Sequence, residues 1–199
     1  MIYITSDLHF CHNRDFIYEA RGFESVEEMN EAIVQRWNQT VSQSDDVYIL
    51  GDLMLNDDSE GMRLIDKLNG QTFHIIRGNH DSSSRSNRYR FINRVLHVVN
   101  SEYLDYKGYH FYLSHYPTLT SNFDHDKPLK SRLINLCGHS HVTNPFEDWD
   151  RYNAPIYHCE VDAHNCYPVS LDTIINDIVN HRPMTWEDIH HELNKFIKN

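Results

Sequence analysis

The chain has no C-x-x-C pair; its four cysteines, Cys11, Cys137, Cys159 and Cys166, stand far apart. That spacing fits reduced cytosolic thiols better than a disulfide framework. No apolar run approaches the length of a membrane span. The first ten residues, MIYITSDLHF, lack a basic n-region and carry Asp7 inside the apolar stretch, which makes a poor signal peptide. A cytoplasmic protein without membrane association is expected. Positive charge is also short, with 18 Lys and Arg against 29 Asp and Glu and a formal net charge of −11. This balance argues against bulk attraction to nucleic acid. There is no repeat, no low-complexity tract and no linker rich in Pro, Gly or Ser. The 199 residues therefore read as one domain, 1–199, long enough to bury a full core.

What the chain has in excess is histidine, with 15 residues, some of them, such as His190 and His191, ordinary surface residues of the tail. Strands are predicted over Ile2–Ser6, Asp46–Leu50, Thr72–Arg77, His97–Tyr103, Tyr109–Ser114, Leu133–Cys137 and Pro155–Val161. A capping box, Ser25-Val-Glu-Glu28, opens a helix with Val26, Met29, Ile33, Val34 and Trp37 on one face. A second helix turns Met62, Ile65 and Leu68 inward and stops at Asn69-Gly70. A third, after His80, is predicted to carry Phe91, Ile92, Val95 and Leu96. The front half is thus β-α-β-α-β-α, which implies parallel strands with helices packed on them. Tyr106-Lys107-Gly108 signals a hairpin within His97–Ser114, and Thr185-Trp-Glu-Asp188 a second capping box, so C-terminal helices are expected over about 171–199.

The polar residues that matter stand where predicted strands end. Ile2-Tyr-Ile-Thr-Ser runs into Asp7-Leu-His9, Val47-Tyr-Ile-Leu into Gly51-Asp52, and His74-Ile-Ile-Arg into Gly78-Asn79-His80-Asp81. Phe111-Tyr-Leu-Ser ends in His115, and Leu133-Ile-Asn-Leu-Cys in Gly138-His139-Ser-His141. Each piece alone is an ordinary turn. Five in one chain are not, because loops at the carboxyl ends of strands in open α/β sheets converge on one crevice. The donors are imidazoles, carboxylates and one amide oxygen, a set that suits Mn, Fe, Ni, Co or Zn better than a Cys-rich zinc site does.

In this order and spacing the five blocks resemble the calcineurin-like metallophosphoesterases, from Asp7 to His141. The resemblance implies a four-layer α/β/β/α sandwich, two mixed β-sheets flanked by helices, with two divalent transition metal ions at the strand ends, manganese preferred. By position, Asp7, His9 and His141 would hold one ion, Asn79, His115 and His139 the other, and Asp52 would bridge them. A shared carboxylate reduces the repulsion between cations roughly 3.5–4 Å apart. Gly51 and Gly78 would let the backbone turn beside the ions. His80 matches the family's catalytic histidine, which stabilises charge on the phosphoryl group and protonates the leaving oxygen. Asp81 is left between orienting an imidazole and capping the next helix.

Departures narrow the substrate. The protein Ser/Thr phosphatase branch reads Gly-Asp-x-x-Asp-Arg-Gly in the second block; here Gly51-Asp-Leu-Met-Leu55-Asn56 lacks the later Asp, Arg and Gly, and the third block ends in Asp81 rather than Glu. The sequence is closer to small bacterial, archaeal and phage phosphoesterases. The expected activity is phosphodiester hydrolysis on a nucleotide or other small substrate, with a phosphomonoesterase or nuclease as alternatives and a non-catalytic metal-binding scaffold behind them. Nucleic acid is a less favoured partner. His12 is a candidate substrate contact or equally an exposed loop histidine; Arg85, Arg88, Arg90 and Arg94 read first as a solvated helix face and otherwise as a phosphate or nucleotide clamp, with Arg85 and Arg88 the candidate contacts, and Tyr116-Pro117 with Lys127, Lys130 and Arg132 form a candidate rim. Asp162 and His164 either support the ligands from behind or are purely structural, and the structural reading is preferred.

Overall fold

The computed structural model describes residues 1–120 and 127–181. The capping box at Thr185–Asp188, His190 and His191, and any helix beyond 181 lie outside the described residues. Among the described residues, nine strands form two sheets. The first contains β1 (Ile2–Thr5), β2 (Asp46–Ile49), β3 (Thr72–Ile76), β4 (Val95–Val99) and β9 (Val169–Ser170), in the order β4-β3-β2-β1-β9. Its first four strands are parallel and β9 is antiparallel to β1. The second contains β5 (Ser101–Tyr106), β6 (Tyr109–Ser114), β7 (Leu133–Cys137) and β8 (Ile156–His158), in that order. Here β5 and β6 are antiparallel, while β6, β7 and β8 run parallel.

The helices are α1 (Asp15–Tyr18), α2 (Val26–Thr40), α3 (Asp58–Asp66), α4 (Ser83–Tyr89), α5 (Glu147–Tyr152) and α6 (Leu171–Asn180). Side chains that point to alternate faces divide the core. Tyr3, Val47, Ile49, Phe73 and Ile75 pack against Met29, Ile33, Trp37, Leu64 and Ile65 of α2 and α3. The other face of the same strands, Ile4, Tyr48, Leu50 and Ile76, meets Phe111, Leu113, Ile134, Leu136 and Tyr157 of the second sheet, with Leu171, Ile174 and Ile178 of α6. The protein is therefore a mixed α/β fold of two sheets flanked by helices.

Local signals explain most boundaries. Ser25 Oγ accepts from Glu28 N at 3.1 Å and starts α2, although the Glu28 carboxylate bonds Glu24 N rather than Ser25 N, so the box closes one residue early. Lys107 and Gly108 have φ of 50° and 78°, the two left-handed residues of a type I′ hairpin turn, and Gly108 bears this without steric cost. Two expectations fail between residues 89 and 103. The third helix ends at Tyr89; Phe91 is exposed, and Val95 and Leu96 open β4 instead. The single strand predicted over His97–Tyr103 is two strands in different sheets, β4 and β5, with Asn100 between them. β-branched Val95, Val98 and Val99 suit strand β4 against β3 better than a helix face.

Candidate metal centre

All five predicted strand ends come to one edge of the paired sheets. Asp7 Oδ1 lies 3.6 Å from His9 Nε2 and 3.8 Å from His141 Nε2. Asn79 Oδ1 lies 2.8 Å from His115 Nε2 and 2.9 Å from His139 Nδ1. Asp52 Oδ2 stands between the two groups, 3.7 Å from His9 Nε2 and 3.5 Å from His115 Nε2. Asp7, His9, Asp52 and His115 are buried, whereas His80 keeps 41 % of its side chain exposed, its Nε2 3.9 Å from Asp52 Oδ2.

The backbone is strained in the same place. Asp7, His9, Asp52, His139 and His141 all have left-handed φ, between 50° and 77°. Such conformations cost roughly 1–3 kcal/mol each and collect at functional sites. Close approach is as demanding: a Cβ on Gly78 would sit 2.1 Å from Asp52 Oδ1. Only glycine lets the third block pass beside the Asp52 carboxylate.

Protonation and hydrogen bonding fit the group to cations. Burial would raise the Asp7 carboxyl, but the nearby His9, His115 and His141 hold it well below the usual carboxylate range. Burial brings His9 down to about 4 and also lowers His139. Asp52 is pushed up to about 6, first by burial and then by repulsion from Asp7 and Asp81, with His115 opposing. Asp7 is thus anionic and His9 neutral at pH 7, the states that metal ligation requires. Asp7 Oδ1 and His9 Nε2 are buried and have no hydrogen-bond partner. Two facing orphaned acceptors are costly unless a cation lies between them.

Neighbours orient the imidazoles. His115 Nδ1 donates to the Leu50 carbonyl at 2.8 Å, which leaves Nε2 free to face Asp52 and Asn79. His141 Nδ1 donates to Asp162 Oδ2 at 3.0 Å, and Arg21 grips the same carboxylate through Nε at 3.0 Å and Nη2 at 2.9 Å while also reaching the Asp7 carbonyl. Burial works against a charged His141, but Asp162 and Asp7 raise it overall. Asp162 is therefore more than a structural residue: it holds a ring of the cluster. His164, by contrast, bonds the His158 carbonyl. Neither sequence nor spacing signalled Arg21, whose partners lie up to 141 residues away.

Asp81 follows neither expectation. Ser82 caps α4, while Asp81 Oδ2 accepts from Asp52 N and Gly78 N at 2.8 and 2.9 Å and Oδ1 from Tyr89 Oη at 2.8 Å. It ties the second block to the third. His12 does reach the site, with its Nδ1 3.0 Å from His9 Nδ1. Arg85 and Arg88 do not line the cavity. Arg85 pairs with Asp58 at 2.6 Å and donates to the His80 carbonyl, and Arg88 lies 3.5 Å from Asp58. Arg90 and Arg94 bond backbone carbonyls of Val98 and of Ile65, Asp66 and Leu68. The acidic Asp58 of α3 and the open carbonyls at that helix's end take up this charge. Tyr116 packs edge-on against His115 and His139, at 5.1 and 4.7 Å, whereas Arg132 is buried rather than at a rim.

A cavity of about 520 Å³ opens over the cluster. His9, His12, Asp52, Asn79, His80, His139, His141 and Asp162 form its polar side; Phe16, Ile17 and Ala20, in and after α1, form an apolar wall. None of the described residues lining it is Lys or Arg.

Known proteins place this geometry. An uncharacterized protein of Methanocaldococcus jannaschii is 36% identical over 182 residues, covering 87% of this chain and 89% of its own. The gene 66 protein of Mycobacterium phage L5 is 26% identical over 198 residues, covering 90% and 94%. A solved protein of unknown function from Aquifex aeolicus shares the fold with a TM-score of 0.64 and 23% identity, over 88% of this chain and 98% of that one. Residues 1–154 match the calcineurin-like phosphoesterase superfamily domain. With that match over most of its length, the chain belongs to the calcineurin-like phosphoesterase superfamily.

Proposed function

We propose that the protein is a metal-dependent phosphodiesterase acting on a nucleotide or other small diester. The observation that carries this reading is the meeting of two ligand groups on Asp52, with Asp7 Oδ1 and His9 Nε2 of the first group buried and without hydrogen-bond partners. Asp7, His9 and His141 would hold one divalent cation, Asn79, His115 and His139 the other, and Asp52 both. Manganese is preferred, with Fe, Ni, Co and Zn as alternatives suited to the same donors. When bound, such a pair supplies a water nucleophile ionised near neutral pH and neutralises charge on the phosphoryl oxygens.

The chain supplies the rest. His80 N donates to Asp52 Oδ1 at 2.9 Å, which fixes the residue's backbone, while its half-exposed ring borders the cavity. From there it protonates the leaving oxygen as a general acid. Preference for a diester is supported by the lining. A monoester dianion calls for a further cation, and none of the described lining residues is Lys or Arg; a diester monoanion needs none and has an apolar wall for its second substituent.

The test is hydrolysis in Mn²⁺ of a nitrophenyl monoester, a bis-nitrophenyl diester, cyclic nucleotides and single-stranded oligonucleotides. Diester or cyclic-nucleotide turnover should exceed monoester turnover, and His80→Ala should lower it roughly 10²–10⁴-fold. A monoester preference would replace the substrate reading with phosphomonoesterase, and oligonucleotide cleavage would replace it with nuclease. Absence of any metal-dependent turnover would leave a metal-binding scaffold.

A further inference from the structure

Ligand-type side chains meet at a second place, between the edge strands of the two sheets. His74 of β3 lies beside His97 of β4, and the chain crosses at Asn100 into β5, where Glu102 returns toward them. His97 Nε2 is 2.7 Å from Glu102 Oε2, and one ligand atom from each of the three lies within 4.8 Å of the others. The register of β3 against β4 shifts between Phe73 and His74, an irregularity of the kind that re-aims a side chain.

The His97–Glu102 contact accounts for itself; His74 does not. Its ring is held against Tyr48 at 4.1 Å with an interplanar angle of 11°, and edge-on to His97 at 4.9 Å. Its Nδ1 is buried without a hydrogen-bond partner. Burial lowers its basicity, so it stands as a neutral imidazole. A buried polar atom of this kind calls for an explanation, and an ion nearby gives one.

We propose that His74, His97 and Glu102 form a third metal site, separate from the dinuclear centre, which binds Zn²⁺. Two imidazoles and a carboxylate suit that ion, and the side chains of His97 and Glu102, 31% and 24% exposed, leave room for water as a fourth ligand. The site's role is structural. β4 ends the first sheet and β5 ends the second, so the ion clips one edge to the other beside the apolar layer that otherwise joins them.

Equilibrium dialysis of the full chain against Zn²⁺, with bound metal counted by mass spectrometry, tests this. Glu102→Gln and His97→Gln should each retain one Zn²⁺ fewer than the wild-type chain. The difference of one is independent of what the dinuclear centre holds, so failure here leaves the catalytic reading standing. Glu102→Gln keeps the shape of a partly exposed side chain, and a metal-free melt close to that of the wild type verifies its fold. At Zn²⁺ about 100 times its Kd this site raises the folded-to-unfolded ratio about 100-fold, roughly 5–10 °C in Tm beyond whatever the dinuclear centre adds, an increment that Glu102→Gln should lack. Equal zinc counts in the wild type and both variants would overturn the proposal and leave His97 and Glu102 a hydrogen-bonded pair.

Discussion

Replacing Asp162 with Asn removes one negative charge from a buried junction while keeping its shape. The carboxylate is 10% exposed and faces Arg21, which is 2% exposed, on one side and His141 Nδ1 on the other. Burial alone would raise the Asp162 carboxyl, yet His141 and Arg21 bring it down to about 2 from an ordinary 3.8. That difference corresponds to roughly 2 kcal/mol of stability, present above pH ~4 and lost as pH falls toward 2. In either orientation the amide turns its NH2 group on a donor, Arg21 Nε or the Arg21 Nη2 and His141 Nδ1 pair, and the negative charge between them is gone, so the His141 ring is held less firmly with Nε2 toward Asp7. Loss of such a carboxylate behind a metal-binding histidine costs about 10–100-fold in metal affinity, or about 1.4–2.7 kcal/mol. The assay is Mn²⁺ activation of diester hydrolysis at pH 7.5, with a melt to verify folding. Half-maximal activation should move to 10–100-fold higher Mn²⁺, with kcat at saturating metal within a few-fold of wild type. An unchanged activation curve, or a kcat loss at unchanged metal affinity, would refute the orienting role of Asp162.

Two more predictions concern the frame around the site. Gly78→Ala forces a Cβ against Asp52 Oδ1 and the Asp52 backbone and should cost about 1–3 kcal/mol or more, read as a lower urea midpoint with an unchanged slope. His158 is fully buried between Glu160 and Asp148, 3.0 Å from each; burial would lower its pKa, but the two carboxylates raise it overall. Glu160 is itself raised, chiefly by burial. Both groups have folded-state values above their unfolded ones, so their contribution is full at lower pH and declines as pH rises through those values. The urea midpoint should therefore fall from pH 6.5 upward, and His158→Gln should flatten that slope.

The centre was legible because each ligand block follows an apolar strand, and parallel strands deliver their carboxyl ends to one edge. Tyr109–Ser114 and Leu133–Cys137 match β6 and β7 because each is a short, largely apolar run that ends in a ligand block. Residues 95–106 were not legible, because Val95–Val99 and Ser101–Tyr106 abut with only Asn100 between them, and periodicity does not report a change of sheet. A basic run shows charge but not its partners: Asp58 meets Arg85 and Arg88, and carbonyls at the end of α3 meet Arg94. Arg21, Asp81 and Asp162 act through partners remote in sequence or through backbone N–H groups, and neither leaves a motif.

The account rests on a pair of cations at the strand ends, and anomalous diffraction from crystals soaked in Mn²⁺ tests it most directly. Two peaks about 3.5–4 Å apart are expected, one among Asp7, His9 and His141, the other among Asn79, His115 and His139, with Asp52 touching both. Saturating Mn²⁺ with no peak at these residues, or with a single peak that excludes Asp52, would contradict it.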